Sequence, residues 1–222
     1  MPVTLVIDVG GNNIKVMRSG SPEKRKIPSG PTLTPELLVA RVAELTSDWS
    51  FDRITVGCPG PVKDERLLIE PVNLGPGWVG FDFAQALPKP TRVVNDAAMQ
   101  AIGSYEGGKM LFLGLGTGLG AAMVVEGLVL PLEVAHLPYR RKHTFEDCVG
   151  TRGLERMKHR SWEKAVHDVV GRLRAALVAD YIVLGGGNTK RLKKLPSHCR
   201  RGDNDNAFTG GFRVWEGSWR SV

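Results

Sequence analysis

The sequence predicts an α/β protein of two lobes built to a similar plan around a cleft, and three observations predict it. An apolar run, a glycine turn and a second apolar run occur at residues 3–18 and recur at 110–125. Helical and strand patterns follow each of these hairpins, so the architecture of the opening repeats. A third glycine turn, Gly185-Gly186-Gly187, follows another apolar strand at 180–184. The length of 222 residues permits one domain or two small lobes, and 42% hydrophobic with 24% charged residues fits a globular chain with a sizeable core.

The elements follow in order. Residues 3–7 read as a buried strand ended by Asp8, with Gly10 and Gly11 turning the chain into a second strand at 14–18. The charged stretch 23–27 reads as an edge strand, where charge discourages further pairing. Thr34, Pro35 and Glu36 announce a helix: a cap, a proline at the first position and an acid near the positive end of the dipole. Leu37, Leu38, Val42 and Leu45 give that helix an apolar face. A strand at 53–56 closes on Gly57-Cys58-Pro59-Gly60-Pro61. A polar excursion over 62–78, a short helix at 81–87, a strand at 91–94 and a helix at 97–105 complete the first lobe, 1–105. In the second, 106–222, strands at 110–115 and 119–125 flank Gly116, Thr117, Gly118 and Gly120, and another strand covers 128–130. The longest helix spans 161–178 with Ser161 as cap. A basic segment begins at Lys190, and a short helix near 208–215 packs back on the first lobe.

Bulk properties narrow the function. No apolar run approaches the roughly 18 residues of a membrane span, and the start lacks a signal-peptide pattern. Three scattered cysteines (Cys58, Cys148, Cys199) suit a reducing cytoplasm and give no metal-knuckle spacing. The net charge of +7 favours anionic partners, but its local clustering argues against a general nucleic-acid role. Trp78, Trp162, Trp215 and Trp219 read as packing or interface residues.

Glycine turns after apolar strands let backbone N–H groups converge on a phosphate. A carboxylate at the strand end, Asp8, can hold the Mg²⁺ that accompanies it. Each turn taken singly is equally an ordinary hairpin. Asn95-Asp96, at the carboxyl end of a strand, is the candidate reactive pair: Asp96 accepts a proton while the amide fixes the substrate. An aspartate before a helix also reads as a simple cap.

In family order, the motifs are Asp8-Val9-Gly10-Gly11-Asn12-Asn13-Ile14-Lys15, Gly57 to Val62, Asn95-Asp96-Ala97, Gly114 to Gly120, Glu133-Val134-Ala135-His136, Glu146 and Gly185 to Gly187. On these the chain resembles the ROK sugar kinases (repressors, open reading frames, kinases), closest to the polyphosphate/ATP glucokinase branch. The resemblance implies a two-lobed actin-like ATPase (ribonuclease H-like) fold. It implies Asp96 as general base, with Gly60, Asn95, Glu133, His136 and Glu146 around a hexose, most simply glucose. It also implies phosphate or nucleotide contacts from Asp8, Gly10, Gly11, Asn12, Asn13, Lys15, Gly116, Thr117, Gly118, Gly185, Gly186 and Gly187. Mg²⁺ near Asp8, ATP and/or polyphosphate as donor, a cytoplasmic homodimer and no nucleic-acid or membrane partner follow in the same way.

Departures from the family pattern carry expectations of their own. Asn12 replaces a usual Thr or Ser, and Ala135 replaces the Gly of Glu-x-Gly-His. The cysteine-rich zinc motif is absent, so no structural zinc is expected. The lack of a helix-turn-helix extension argues against the repressor members, and a chain shorter than typical members suggests a trimmed nucleotide-side lobe. A polyphosphate track is expected along Lys190, Arg191, Lys193, Lys194, Arg200 and Arg201. A weak sugar-binding regulator and a non-sugar actin-like ATPase stay open as rivals.

Overall fold

The computed structural model describes residues 1–203, 205–217 and 219–221. The chain opens with β1 (Thr4–Val9), β2 (Asn13–Arg18), β3 (Lys24–Pro28), α1 (Pro35–Leu45) and β4 (Arg53–Cys58). A small hairpin, β5 (Val62–Lys63) with β6 (Arg66–Leu67), crosses the polar excursion. Then come α2 (Phe83–Ala86), β7 (Thr91–Asn95) and α3 (Asp96–Ser104). The second half has β8 (Lys109–Leu115), β9 (Leu119–Val125), β10 (Leu128–Leu132), β11 (Pro138–Arg140) and β12 (His143–Thr144). Helices α4 (Phe145–Val149), α5 (Thr151–Arg156) and α6 (His159–Leu177) follow. The chain continues through β13 (Tyr181–Gly185), a 3₁₀ turn (Gly187–Arg191), β14 (Cys199–Arg201), α7 (Asn206–Arg213) and β15 (Arg220–Ser221).

The expected repetition is present in the sheets. One has the order β3-β2-β1-β4-β7, the other β14-β13-β8-β9-β10-β15. In each, a hairpin and its third strand run antiparallel, while two later strands add in parallel beside the first: β4 and β7 on β1, β13 and β14 on β8. Parallel strands are buried on both faces, and every residue of β1 is buried. The edge strand β3 alternates exposed and half-buried residues, as its charges require.

Each sheet carries its own core. Leu5, Ile7, Val56 and Trp78 belong to the first, and Leu111, Leu113, Trp162 and Val166 to the second. Trp78 and Trp162 are fully buried, their indole N–H groups donating to Leu33 O at 3.2 Å and Val149 O at 2.9 Å. That satisfies the one polar atom such a ring brings into a core. Helix α3 lies between the halves, its alanines and Ile102 packed with Met110, Phe112 and Val183. Across it runs α7. A Cβ on Gly103 would strike Asn206 O, and one on Gly210 would strike Met99 O, so the two helices touch through their backbones.

Three expectations need correction. Helix α6 starts at His159, with Lys158 as a cap that makes no side-chain bond, because Met157 is extended and Lys158 is non-helical at ψ 139°; Ser161 N already donates to Lys158 O at 2.8 Å. The last helix starts and ends earlier than expected. Trp215 lies beyond it, its indole donating to Thr55 Oγ1 at 2.9 Å. Cys199, Arg200 and Arg201, the last two expected on the polyphosphate track, form strand β14, where Cys199 and Arg200 are half-buried. Arg200 donates to Ser104 O and pairs with Glu106 at 3.1 Å, and Arg201 donates to Leu192 O at 2.7 Å.

Candidate active site

Strand β7 delivers Asn95 opposite Cys58, and α3 begins at the next residue. The helix cap is Asn95, whose Oδ1 accepts from Ala98 N at 2.9 Å. Its Nδ2 donates to Gly60 O at 2.8 Å, tying the cap to a glycine held at φ +121°, where a side chain would be strained. Asp96 is therefore relieved of capping. Its Oδ1 accepts from Ala97 N at 2.8 Å and from Asn95 Nδ2 at 3.4 Å, and Oδ2 has no hydrogen bond from another residue among the described residues.

The Asp96 carboxyl is pushed up to about 7, first by burial and then by the charge of Asp8, with a smaller push from Glu133; backbone N–H groups of Ala97 and Asp96 oppose this. Asp8, the penultimate residue of β1, is 9% exposed. The Lys15 ammonium stands 3.2 Å from Asp8 across the hairpin register. Cys58, fully buried at the end of β4, has its thiol pushed up by burial, then by Asp96 and Asp8. The carboxyl ends of three neighbouring strands thus bring both carboxylates to one point.

Two of the glycine turns carry unpaired backbone donors. In the first, Gly10 N donates to Asn13 O at 3.0 Å and closes the turn, while the N–H groups of Gly11 and Asn12 have no acceptor among the described residues. Ser29 braces it from outside, donating through Oγ to Gly10 O at 2.6 Å and through N to Asn12 O at 3.1 Å. Asn73 packs against Gly11. In the second turn Gly116 N donates to Gly118 O at 3.2 Å, and the N–H groups of Thr117 and Gly118 have no acceptor among the described residues. The Gly116 carbonyl accepts from Thr151 N and Thr151 Oγ1, both at 3.1 Å, and from Asn188 Nδ2 at 2.8 Å. Gly186, at φ +82°, crosses so close to Leu115 that a Cβ would strike its backbone; the third turn therefore sits beside the second. Successive unpaired backbone N–H groups in such turns are the kind of donors that can bind an anion.

Glu133, Ala135 and His136 follow β10. The Glu133 carboxyl is raised by loss of hydration, lowered by His136 and raised by Glu146, so these three groups share one field. Glu146 sits in the first turn of α4, which carries a complete capping box between Thr144 and Asp147. Its backbone N donates to Ala135 O at 3.1 Å, which joins the two sugar-type motifs directly. The Glu146 carboxylate pairs with Arg152 at 3.0 Å and abuts Gly118, where a Cβ would run into Oε2. Ser29, Asn73, Thr151 and Asn188 were not foreseen from the sequence. Only Asn188, directly after the glycine triplet, carried a positional signal.

Two sheets of repeated topology, with α3 packed between the halves, have the arrangement of the actin-like ATPase fold. The same fold is found in the polyphosphate/ATP-glucomannokinase of Arthrobacter sp. strain KM, with a TM-score of 0.83 at 21% identity over 95% of this chain and 97% of that one. Residues 4–131 match the ROK family. This match covers more than half of the chain, which belongs to that family. Among characterised relatives, the polyphosphate glucokinase of Mycobacterium leprae is 25% identical over 206 residues, covering 83% of this chain and 63% of that protein. The N-acetylmannosamine kinase of Citrobacter koseri is 29% identical over 163 residues, covering 66% and 56%. The chain thus spans less than two thirds of the length of these relatives. No helix among the described residues is long and apolar enough to cross a membrane.

Proposed function

We propose that the chain is a sugar kinase, transferring a phosphoryl group from ATP or polyphosphate to a hexose hydroxyl with Asp96 as general base. The Asp96 carboxyl carries this reading: its affinity for a proton is tuned to about 7, and Oδ2 has no hydrogen bond from another described residue. A base so tuned is matched to taking a hydroxyl proton near neutral pH. Asn95, Glu133, His136, Glu146 and the Gly60 backbone hold the other hydroxyls, since carboxylates and amides match hydroxyl donors and acceptors in pairs. The N–H groups of Gly11, Asn12, Thr117 and Gly118 cradle the terminal phosphates, with Gly10, Asn13, Lys15 and Gly116 shaping the two turns. Gly185, Gly186 and Gly187 border the nucleoside of ATP. Closure of lobe 1–105 on lobe 106–222 keeps out water, the competing acceptor.

Magnesium fits this end of the cleft. Asp8 and Asp96 repel one another, and no group of three His, Cys, Asp or Glu side chains among the described residues could cage a metal. Mg²⁺ is typically held by one or two carboxylates together with water and substrate phosphates. Asp8 would hold the ion through water, and its charge would offset that building on the phosphoryl oxygens.

Glucose is the proposed acceptor, supported by the motif set and the named activity of the Mycobacterium relative. The Citrobacter relative makes N-acetylmannosamine the alternative. A coupled assay across hexoses, with ATP and polyphosphate as donors, tests the reading. Turnover is expected with at least one hexose and falls about 10²–10⁴-fold in Asp96→Asn. Turnover that survives Asp96→Ala would refute the assigned base.

A further inference from the structure

Helix α6 and the segment after the 3₁₀ turn line two adjoining open surface hollows of about 520 and 510 Å³. They share Arg160 and Glu163 and are otherwise lined by His159, Lys164, His167, Asp168, Lys193 and Lys194. Both acids are already engaged. Glu163 Oε1 accepts the N–H groups of Lys193 and Lys194 at 2.7 and 3.2 Å. Asp168 accepts from Tyr139 Oη at 2.7 Å and Arg172 Nε at 3.2 Å, and also faces Arg140 at 3.6 Å. The four cations are not engaged. Arg160, Lys164, Lys193 and Lys194 are exposed, and none pairs with a carboxylate among the described residues.

Hydrogen bonds tie the two sides of the groove together. His159 Nε2 meets Arg191 O at 2.8 Å and His167 Nε2 meets Lys194 O at 3.0 Å. A carbonyl can only accept, so each ring donates. Residues 159, 163 and 167 form one stripe of α6, and they hold three residues of the segment, Arg191, Lys193 and Lys194. The other end of that segment is tied to the phosphate cradle through Asn188 on Gly116 O. Lys194 is six residues on from Asn188, so their backbones lie within about 22 Å of each other.

We propose that this groove is a second, non-catalytic anchor for an inorganic polyphosphate chain. It replaces the track expected along residues 190–201, because Arg200 and Arg201 face other partners and Arg160 and Lys164 of α6 take their place. Single-stranded nucleic acid, which stacks its bases on aromatic faces, finds no Trp, Tyr or Phe in this lining: Trp162 is fully buried, and the only rings are those of His159 and His167, each hydrogen-bonded to a carbonyl. A bare phosphate chain needs only spaced cations. The proposal rests on the donor reading above, but direct binding tests it separately from turnover.

The experiment measures binding of long-chain polyphosphate (tens of units) and of tripolyphosphate at 50 and 200 mM salt. Wild type is compared with Lys164→Gln/Lys194→Gln, whose folding is verified by circular dichroism and Tm. Four contacts at the single-strand slope of about −0.7 per contact predict a roughly 50-fold loss of long-chain affinity across that salt range. The double variant should show about half that slope and at least tenfold weaker long-chain binding at 50 mM salt, with tripolyphosphate binding and ATP-dependent turnover unchanged. Three results would overturn the proposal: no long-chain binding by wild type, equal binding by the variant, or tighter binding of single-stranded RNA than of polyphosphate. Loss of sugar phosphorylation with every donor, beside intact groove binding, would count against the kinase reading and support the anchor.

Discussion

Replacing Asp96 with asparagine should make the protein more stable while disabling it. The folded chain holds the Asp96 proton more tightly than the unfolded chain, with the pKa raised from 3.8 to about 7. Folding therefore binds a proton between these values. The associated stability is fully present below 3.8 and is lost as pH rises through 7. Each tenfold change in proton affinity corresponds to about 1.4 kcal/mol, so the loss reaches about 4 kcal/mol above pH 7, of which roughly 3 kcal/mol falls between pH 5 and 8. Asparagine has nearly the same shape, can still accept from Ala97 N and carries no charge to desolvate. Asp96→Asn should thus gain on wild type as pH rises.

Urea denaturation at pH 5, 6.5 and 8 measures this, as the widening difference between the two proteins. In thermal melts the difference should grow by several degrees over the same range, at about 2–4 °C per kcal/mol for a chain of this size. Using the difference cancels the other titrating groups. If the two curves stay parallel in pH, the Asp96 carboxyl is not perturbed and the argument for a tuned base fails. The same proton governs activity: kcat/KM of wild type should rise with pH through about 7 and level off above it.

Other perturbations separate substrate contacts from folding. Glu146→Gln should raise the apparent sugar constant about 10–100-fold with little change in Tm, since a charged acceptor is worth about 1.5–3 kcal/mol; calorimetry with the best sugar checks it. Gly118→Ala meets only the end of a flexible carboxylate, so folding should hold while sugar binding weakens about tenfold, near 1.4 kcal/mol; unchanged binding would separate Glu146 from the sugar. Gly103→Ala meets the α7 backbone and should lose about 3 kcal/mol in denaturant melts, although alanine is otherwise the better helix former.

The sequence by itself determined the repeated plan of the fold, because strand runs, glycine turns and caps are local signals. Thr34 caps α1 as expected, accepting from Leu37 N at 3.3 Å. It also marked Asp96, Glu133, His136 and Glu146 as candidates, since these residue types sit within recognisable motifs. Only the tertiary structure decided which of two adjacent residues caps α3. Choosing Asn95 over Asp96 depends on Gly60, 35 residues away, accepting from the amide. Nor could local pattern reveal Ser29, Thr151 and Asn188, which act on turns distant in sequence, or the pairing that removes Arg200 and Arg201 from the basic face. Their engagements are set by which strands adjoin. The tuning of Asp96 is of the same kind: a carboxyl's proton affinity follows from burial and from neighbouring charge. Both arise when the ends of β1, β4 and β7 meet.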